Sequence, residues 1–479
     1  MIPAPPRMGH PARAMALAVL AVLAGGTGTS RADLSRLTAD EAVRIALRDN
    51  NSVYAAARQV EQAEGGLKLA RSPLLPQLNV TGDLARSHQG EQRSAFRVGG
   101  SVPSTNTNSR SGSVSLSQEL INLQALNGAR EAARGLAATR AAEVSTRQQV
   151  ALAVKQQFYA LVRAKQLSGV SVDAARLDSS TLALTQGLFD VGTAPRTDLL
   201  KARTQHAQSR LAVISAQHSV DIERLRLAGL LGLADDRGLD VVDALPEDVP
   251  LPDSTNILES AYANRPDLAQ LLRQIDAAEA GLGSARAARY PTLGASVSIQ
   301  KSIFSTTQDS LTQVGTTLKS LRLNLADTSF VPVYGDTISQ IPETKFESRP
   351  FSWSVGARVT VPIFDGFSTK GRIQQRAAEL EIQRRNLSQR RVEIALEVRQ
   401  AWLGLVEARE RARVAVEALD YAEQSHELNR EKYRLGSSTL LELTTAEVQL
   451  TRSRSDLVDA RVGLQLARAQ LDRALGQNP

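Results

Sequence analysis

The 479-residue sequence contains no cysteine. That excludes disulfides, thiolate metal sites, cysteine nucleophiles and lipid attachment through a lipoprotein cysteine. Long apolar runs are also missing. Beyond the N-terminus nothing approaches the roughly 18 consecutive apolar residues of a membrane-crossing helix, so any crossing falls to strands. Proline is absent from 104 to 194 and from 363 to 478, leaving two stretches in which nothing obliges a helix to break. Aromatic residues make up 4% of the chain and crowd between Tyr290 and Phe367, which asks for a local cause. There is no Gly-Lys dipeptide, hence no phosphate-binding loop of the P-loop type. The five histidines are scattered, and no constellation of catalytic or metal-ligating residues stands out. No enzyme activity, cofactor or metal is therefore expected. The net charge of +7 comes from Arg and Lys interspersed with acids along helix faces, so nucleic acid is not an expected partner.

What is present begins with Arg7 and Arg13, the apolar run Ala14 to Ala24, and the small-residue end Ser30-Arg31-Ala32. This order reads as an export signal over residues 1–32, too short to span a bilayer. The rest of the chain is nearly doubled. Ala46-Leu47 through Pro76-Gln77-Leu78 parallels Ala261-Tyr262 through Pro291-Thr292-Leu293, and Val154 through Leu161 parallels Val398 through Leu405. The first pairing is offset by 215 positions and the second by 244, so the second copy carries the longer insertion, in the aromatic-rich window. The expected organisation is a first repeat at 33–232, an acidic, proline-rich linker at 233–254, and a second repeat at 255–479.

Both proline-free stretches are rich in Ala, Leu, Arg, Glu and Gln, the strong helix formers. Ile394, Val398, Ala401, Leu405, Ala408, Ala412, Ala415, Leu419 and Ala422 recur at alternating spacings of four and three. A second run from Leu443 to Ala474 does the same. That period is 3.5, the coiled-coil value, and alternating Leu with Ala lets helix axes approach closely. Residues 122 to 188 would form a rod about 100 Å long at roughly 1.5 Å per residue.

Four segments alternate apolar and polar residues with period two, and strands are expected at about 77–86, 112–120, 292–302 and 351–362. Long polar loops are expected at 86–112 and 303–350, with Tyr290, Phe304, Phe351 and Trp353 near strand ends as in interfacial girdles. A soluble antiparallel sheet with one wet face gives the same alternation. For a membrane sheet, four strands are too few to close, so the chain must share a barrel with copies of itself.

These residues together resemble the TolC-like outer-membrane efflux protein family. The resemblance rests on the doubled unit and the strand ends Ser117-Gln118-Glu119-Leu120 and Val361-Pro362-Ile363-Phe364-Asp365-Gly366. It also rests on the turns Val191-Gly192-Thr193 and Leu435-Gly436-Ser437, followed by Asp198-Leu199-Leu200 and Glu442-Leu443. It implies a mainly helical fold with a membrane β-domain. Three identical chains would form a trimeric channel-tunnel with a shared 12-strand barrel in the outer membrane and a coiled-coil tunnel reaching into the periplasm. It implies a passive exit duct for an efflux pump or type I secretion. The implied partners are a periplasmic adaptor (membrane fusion protein), an inner-membrane transporter of RND, ABC or MFS type, and outer-membrane lipid.

By the same resemblance, helix-joining tips at 188–198 and 433–443 would dock the adaptor through Val191, Gly192, Thr193, Leu435, Gly436 and Ser437. Thr197, Asp198, Tyr433 and Glu442 would gate the entrance, and Arg358 would face the lumen. Where the family's best-known closed form has an Arg, this chain has Ser438, so no ionic lock on Asp198 is expected from that position. On the residues alone, Gly192 and Gly436 are helix-ending glycines, and Thr439-Leu440-Leu441-Glu442 has the form of a capping box. The other architecture open to these features is a soluble periplasmic coiled-coil structural or adaptor protein.

Overall fold

The computed structural model describes residues 36–90, 92–93, 101–233, 235–236, 238–242, 245, 250–251, 256–326 and 328–477. The expected export signal lies outside the described residues, as does part of the linker.

The chain runs through one series of elements twice. Thr38 opens α1 (Ala39–Asp49) with a capping box: its hydroxyl accepts from the Glu41 N–H at 3.3 Å, and the Glu41 carboxylate accepts from the Thr38 N–H at 3.0 Å. Then come α2 (Asn51–Arg71), strand β1 (Gln77–Gln89), the short β2 (Gln92–Arg93) and β3 (Ser101–Val102), and β4 (Thr105–Ile121). The 68-residue helix α3 (Leu123–Asp190) and α4 (Arg196–Leu231) complete the first half. The second half repeats this as α5 (Ile257–Asn264), α6 (Pro266–Ala287), β5 (Thr292–Gln308), β6 (Leu311–Asn324), β7 (Ser329–Ile341), β8 (Thr344–Ser348) and β9 (Phe351–Thr360). The 67-residue helix α7 (Ser368–Arg434) and α8 (Leu440–Ala474) follow.

These elements form two compact units. One takes the chain up to Ala55, Val144–Arg265 and Ile394–Pro479; the other takes Ala56–Glu143 and Pro266–Glu393. The first unit is helical, and its buried residues follow the coiled-coil spacing. Ile394, Val398, Leu405, Ala415 and Ala422 on α7, and Leu443, Leu450, Ala460, Leu464 and Leu471 on α8, are all buried. Val154, Phe158 and Leu161 of α3 pack with Leu227 and Leu231 of α4 and with Ala42 and Ala46 of α1. The repeat extends to the helix ends. α4 stops at Gly232, at φ 75°, where a Cβ would lie 2.7 Å from the Asp49 carbonyl oxygen. Gly476, at φ 71° after α8, would set a Cβ 2.7 Å from the Asn264 carbonyl carbon. The two glycines are 244 positions apart and the residues they abut are 215 apart, the offsets of the sequence repeat.

The second unit holds an antiparallel sheet ordered β1-β4-β5-β9, with β8 pairing the far part of β5 and β6–β7 forming a separate ribbon. β1 and β9 are its edges. The register separates two faces. One carries Leu78, Leu116, Val297 and Val355 in one row and Val80, Val114, Ile299 and Trp353 in the next. The other carries Asn79, Ser115, Ser298 and Ser354, then Thr81, Ser113, Gln300 and Ser352, with side-chain bonds such as Thr81···Ser113 at 2.7 Å.

Two expectations are corrected here. Much of the segments read as polar loops, 86–112 and 303–350, is paired strand: β1 and β4 stay in register to Gln89↔Thr105, and β5 continues to Gln308. Thr105-Asn106-Thr107-Asn108-Ser109 has no apolar face, so it gives no period-two signal, yet its backbone pairs all the same and Thr107 reaches Thr306 at 3.1 Å. Phe304 does not join Trp353 and Phe351 on the apolar face. It lies opposite Ser109 and Ser348 on the polar one, because side chains alternate with period two and its neighbour Ile303 takes the apolar side.

The glycine ends give a test. Replacing Gly476 by Ala forces a left-handed backbone and a clash, and should cost roughly 1–3 kcal/mol in a chemical-denaturation midpoint. Gly66→Ala, in an exposed helical position with open space around it, should instead stabilise by about 0.4–1 kcal/mol.

Candidate functional site

The helix-joining turns and the polar face of the sheet are where the expected functional residues fall. The two turns are built alike. α3 ends at Asp190, Gly192 takes φ 79°, and the Thr193 N–H and hydroxyl both donate to the Leu188 carbonyl at 2.9 Å. α7 ends at Arg434, Gly436 takes φ 72°, and the Ser437 N–H and hydroxyl both donate to the Lys432 carbonyl, at 2.9 and 3.1 Å. A left-handed glycine followed by a back-bonding hydroxyl satisfies carbonyls that the helix end leaves open. Val191 and Leu435, each 73% exposed, stand out from the turns.

Among the expected gate residues, Thr197 is exposed and Asp198 half-buried in the first turn of α4, where a carboxylate meets the favourable end of the helix dipole. Asp198 has Lys201 3.9 Å away on its own helix. Tyr433 is placed differently: it is 5% exposed, packs with Leu440, Leu443, Leu184 and Leu188, and its hydroxyl lies 3.2 Å from that of Thr185. Within the chain, that contact and not Thr197 or Asp198 holds the phenol. Glu442 forms half of the expected capping box. Thr439's hydroxyl accepts the Glu442 N–H at 3.3 Å, but the Glu442 carboxylate accepts from the Ser438 hydroxyl at 2.5 Å. Ser438, which stands where the resemblance places an Arg, is thus the carboxylate's own partner. Arg358 sits on the polar face of β9 opposite Gly294, which in turn lies opposite Glu119 on β4.

Sequence reading passed over the group behind Tyr433. Thr185 also donates to the Thr181 carbonyl at 2.8 Å, and Thr181 donates its hydroxyl to buried Glu447 at 2.5 Å. His426, also buried, has Nε2 3.9 Å from the same Glu447 oxygen. Asp178, 6% exposed, is bonded by Gln205 at 3.4 Å and by Ser209. Burial pushes the Asp178 carboxyl above its ordinary range, the Glu447 charge adds to this, and the Ser209 and Gln205 bonds offset it in part. A signal was available. The α7 seam, carried on from Ala422 by steps of four, three and four, lands on His426, Asn429 and Tyr433. On α3, Asp178, Thr181 and Thr185 are spaced by three and four. Polar side chains thus occupy seam positions next to the turn.

Paired halves of very long helices, an open four-strand sheet with one apolar face, and exposed tips define the class of an outer-membrane channel-tunnel protomer. The family model described as outer membrane efflux protein matches residues 42–233 and 257–477, and the chain belongs to that family. It is an outer-membrane exit duct for efflux, and it extends into the periplasm. The chain is 26% identical over 460 residues to the pyoverdine export outer membrane protein OpmQ of Pseudomonas aeruginosa, covering 91% of this chain and 84% of that one. Its fold matches the outer membrane protein VceC from Vibrio cholerae at TM-score 0.70 and 18% identity, over 91% and 96% of the two chains. It also matches the open state of the Neisseria gonorrhoeae MtrE outer membrane channel at TM-score 0.65 and 18% identity, over 91% and 88%.

A raised carboxyl value means the folded state prefers the protonated form. Its stabilising contribution is complete at low pH and is lost as pH rises through the folded value. Asp178→Asn removes the charge that is costly to bury. It should therefore unfold at a higher temperature than the parent near neutral pH, with the difference shrinking toward zero as the pH falls to about 4, read by circular dichroism melts across pH.

Proposed function

We propose that three copies of this chain close a 12-strand barrel in the outer membrane and a helical tunnel in the periplasm, and that the assembly conducts small molecules passively outward. The observation that carries this reading is the sheet. It has two unpaired edges, β1 and β9, and its apolar face is bare, with Leu84 82%, Val80 74% and Trp353 70% exposed in the lone chain. Neither edge tolerates lipid, where an unpaired backbone group has no water to bond. Joining β1 of one copy to β9 of the next removes every edge. Twelve strands leave a bore, whereas eight would fill with side chains. The Ser- and Thr-rich face then lines the passage, with Arg358 and Glu119 in it.

The exposed turns dock a periplasmic adaptor, with Val191, Gly192 and Thr193 on one and Leu435, Gly436 and Ser437 on the other. Each offers a short apolar side chain on a rigid glycine bend. An inner-membrane transporter of RND, ABC or MFS type supplies energy through that adaptor. Thr197, Asp198 and Glu442 lie at the entrance, and Tyr433 braces the turn from behind through Thr185. Three copies of Glu442 place three carboxylates around the passage, favouring cations. Efflux is favoured over secretion of polypeptide by the family to which the chain belongs.

Two measurements test this reading. Detergent-extracted protein should have the mass of three protomers by light scattering and form channels in planar bilayers; a monomer that remains soluble without detergent overturns it. Glu442→Ala should lower the cation preference of those channels. Because the Glu442 N–H is capped by Thr439, stability should change by no more than about 1 kcal/mol.

A further inference from the structure

The apolar face of the sheet carries its charge at one end only. From the helix-proximal end, successive rows across this face hold Leu293 and Val359, then Ala295 and Ala357, then the two rows of Leu, Val, Ile and Trp. Above them Gly82, Gly112, Lys301 and Phe351 share a row, then Leu84, Arg110 and Ile303, then Arg86, Asn108, Ser305 and Glu347, and last His88, Asn106, Thr307 and Lys345. Leu293 to Ile303 is ten residues, about 34 Å along the strand at roughly 3.4 Å per residue. A tilt of roughly 35–45° turns that into the ~25 Å height of a barrel's apolar band. Lys301 thus sits just inside the outer rim of the band, Arg110 at it, Arg86 one row beyond and Lys345 two rows beyond.

We propose that Arg86, Arg110, Lys301 and Lys345 form a basic belt that binds the phosphate groups of an anionic lipid headgroup in the outer leaflet. This rests on the barrel reading above, which turns the apolar face toward lipid. The helices extend into the periplasm, so the far ends of the strands face the exterior, and the belt lies at the outer leaflet.

Three observations favour a phosphorylated lipid. First, the four cations are unspent: among the described residues none makes an ion pair or hydrogen bond, whereas the arginines of the helices repeatedly pair with Glu or Asp on their own turn. Glu347, the one acid in these rows, is already held by Arg349 at 2.7 Å. Second, the charge is one-sided. The helix-proximal rows of the same face hold no ionisable side chain, so the belt is not ordinary snorkelling at both rims. Third, there is a seat. A cleft of about 590 Å³ is lined by Leu84, Ile303, Arg86, Arg110 and the Arg349-held Glu347, so apolar and basic side chains meet in one place. Arginine forks suit phosphate oxygens, and the apolar rows continue directly beneath.

The test uses the full-length protein in vesicles of neutral phosphatidylcholine with a small fraction of diphosphorylated lipid A, or of the same lipid with its phosphates removed. The parent should gain several degrees of thermal stability from the phosphorylated form and far less from the dephosphorylated one. The variant R86Q/R110Q/K301Q/K345Q should insert and conduct like the parent, but bind the phosphorylated lipid at least about tenfold more weakly. Replacing Lys301 and Lys345 by Arg should keep the effect. Equal stabilisation by both lipids, an undiminished gain in the Gln variant, or the same gain from inorganic phosphate alone each overturns the belt. A Gln variant that does not insert is replaced by R86Q/R110Q, whose binding must then fall. A parent that neither inserts nor forms channels overturns the barrel and the belt with it; a conducting channel indifferent to the headgroup overturns the belt alone.

Discussion

An open sheet edge has no place in hydrocarbon, and much of this chain answers that one constraint. Four strands with a bare apolar face cannot exist alone in a bilayer, because β1 and β9 would each present a row of N–H and C=O groups with nothing to bond. In the proposed trimer, association with identical neighbours meets the requirement without adding residues. The doubling of the chain fits the same logic. Each half contributes one pair of long strands and one pair of long helices, and the helix ends are held by the same device, a left-handed glycine against a carbonyl group.

The helical unit is not uniformly apolar. Toward the turns, the Leu and Ala seam gives way to Tyr433, His426, Glu447, Thr181, Thr185 and Asp178, joined in part by hydrogen bonds. A dry seam of alternating Leu and Ala rewards only one arrangement of the helices. A hydrogen-bonded seam can exchange partners at lower cost, since a hydroxyl released from one acceptor finds another or water. This polar packing lies next to the two helix-joining turns.

The turns and the outer rim of the sheet present different surfaces. At the turns, rigid glycine bends lift single apolar side chains into water, a geometry suited to a protein partner. At the outer rim of the sheet, unpaired cations top an apolar band, a geometry suited to a charged lipid. The polar face of the sheet is built of small hydroxylated side chains, with bonds such as Thr81 to Ser113 and Ser298 to Ser354 running across strands. Such a surface offers few charged groups with which to select one solute over another.

The sequence by itself determined the doubled plan, the helix seams and the turns, because those depend on spacings of three, four and two that are visible in any one segment. Ile394 to Ala422 could be read as a buried stripe without knowing what lies against it, and all of those positions are buried or half-buried. Tertiary structure alone decided what depends on register and on partners distant in the chain. Phe304 fell on the polar face because a strand's sides are fixed by pairing, one residue at a time. Glu442 turned to Ser438, and Tyr433 to Thr185, because a side chain with several possible partners goes to the one that packing brings near. The basic belt is the clearest case: Arg86, Arg110, Lys301 and Lys345 are spread over 260 residues, and only the pairing of four strands sets them on one face in successive rows.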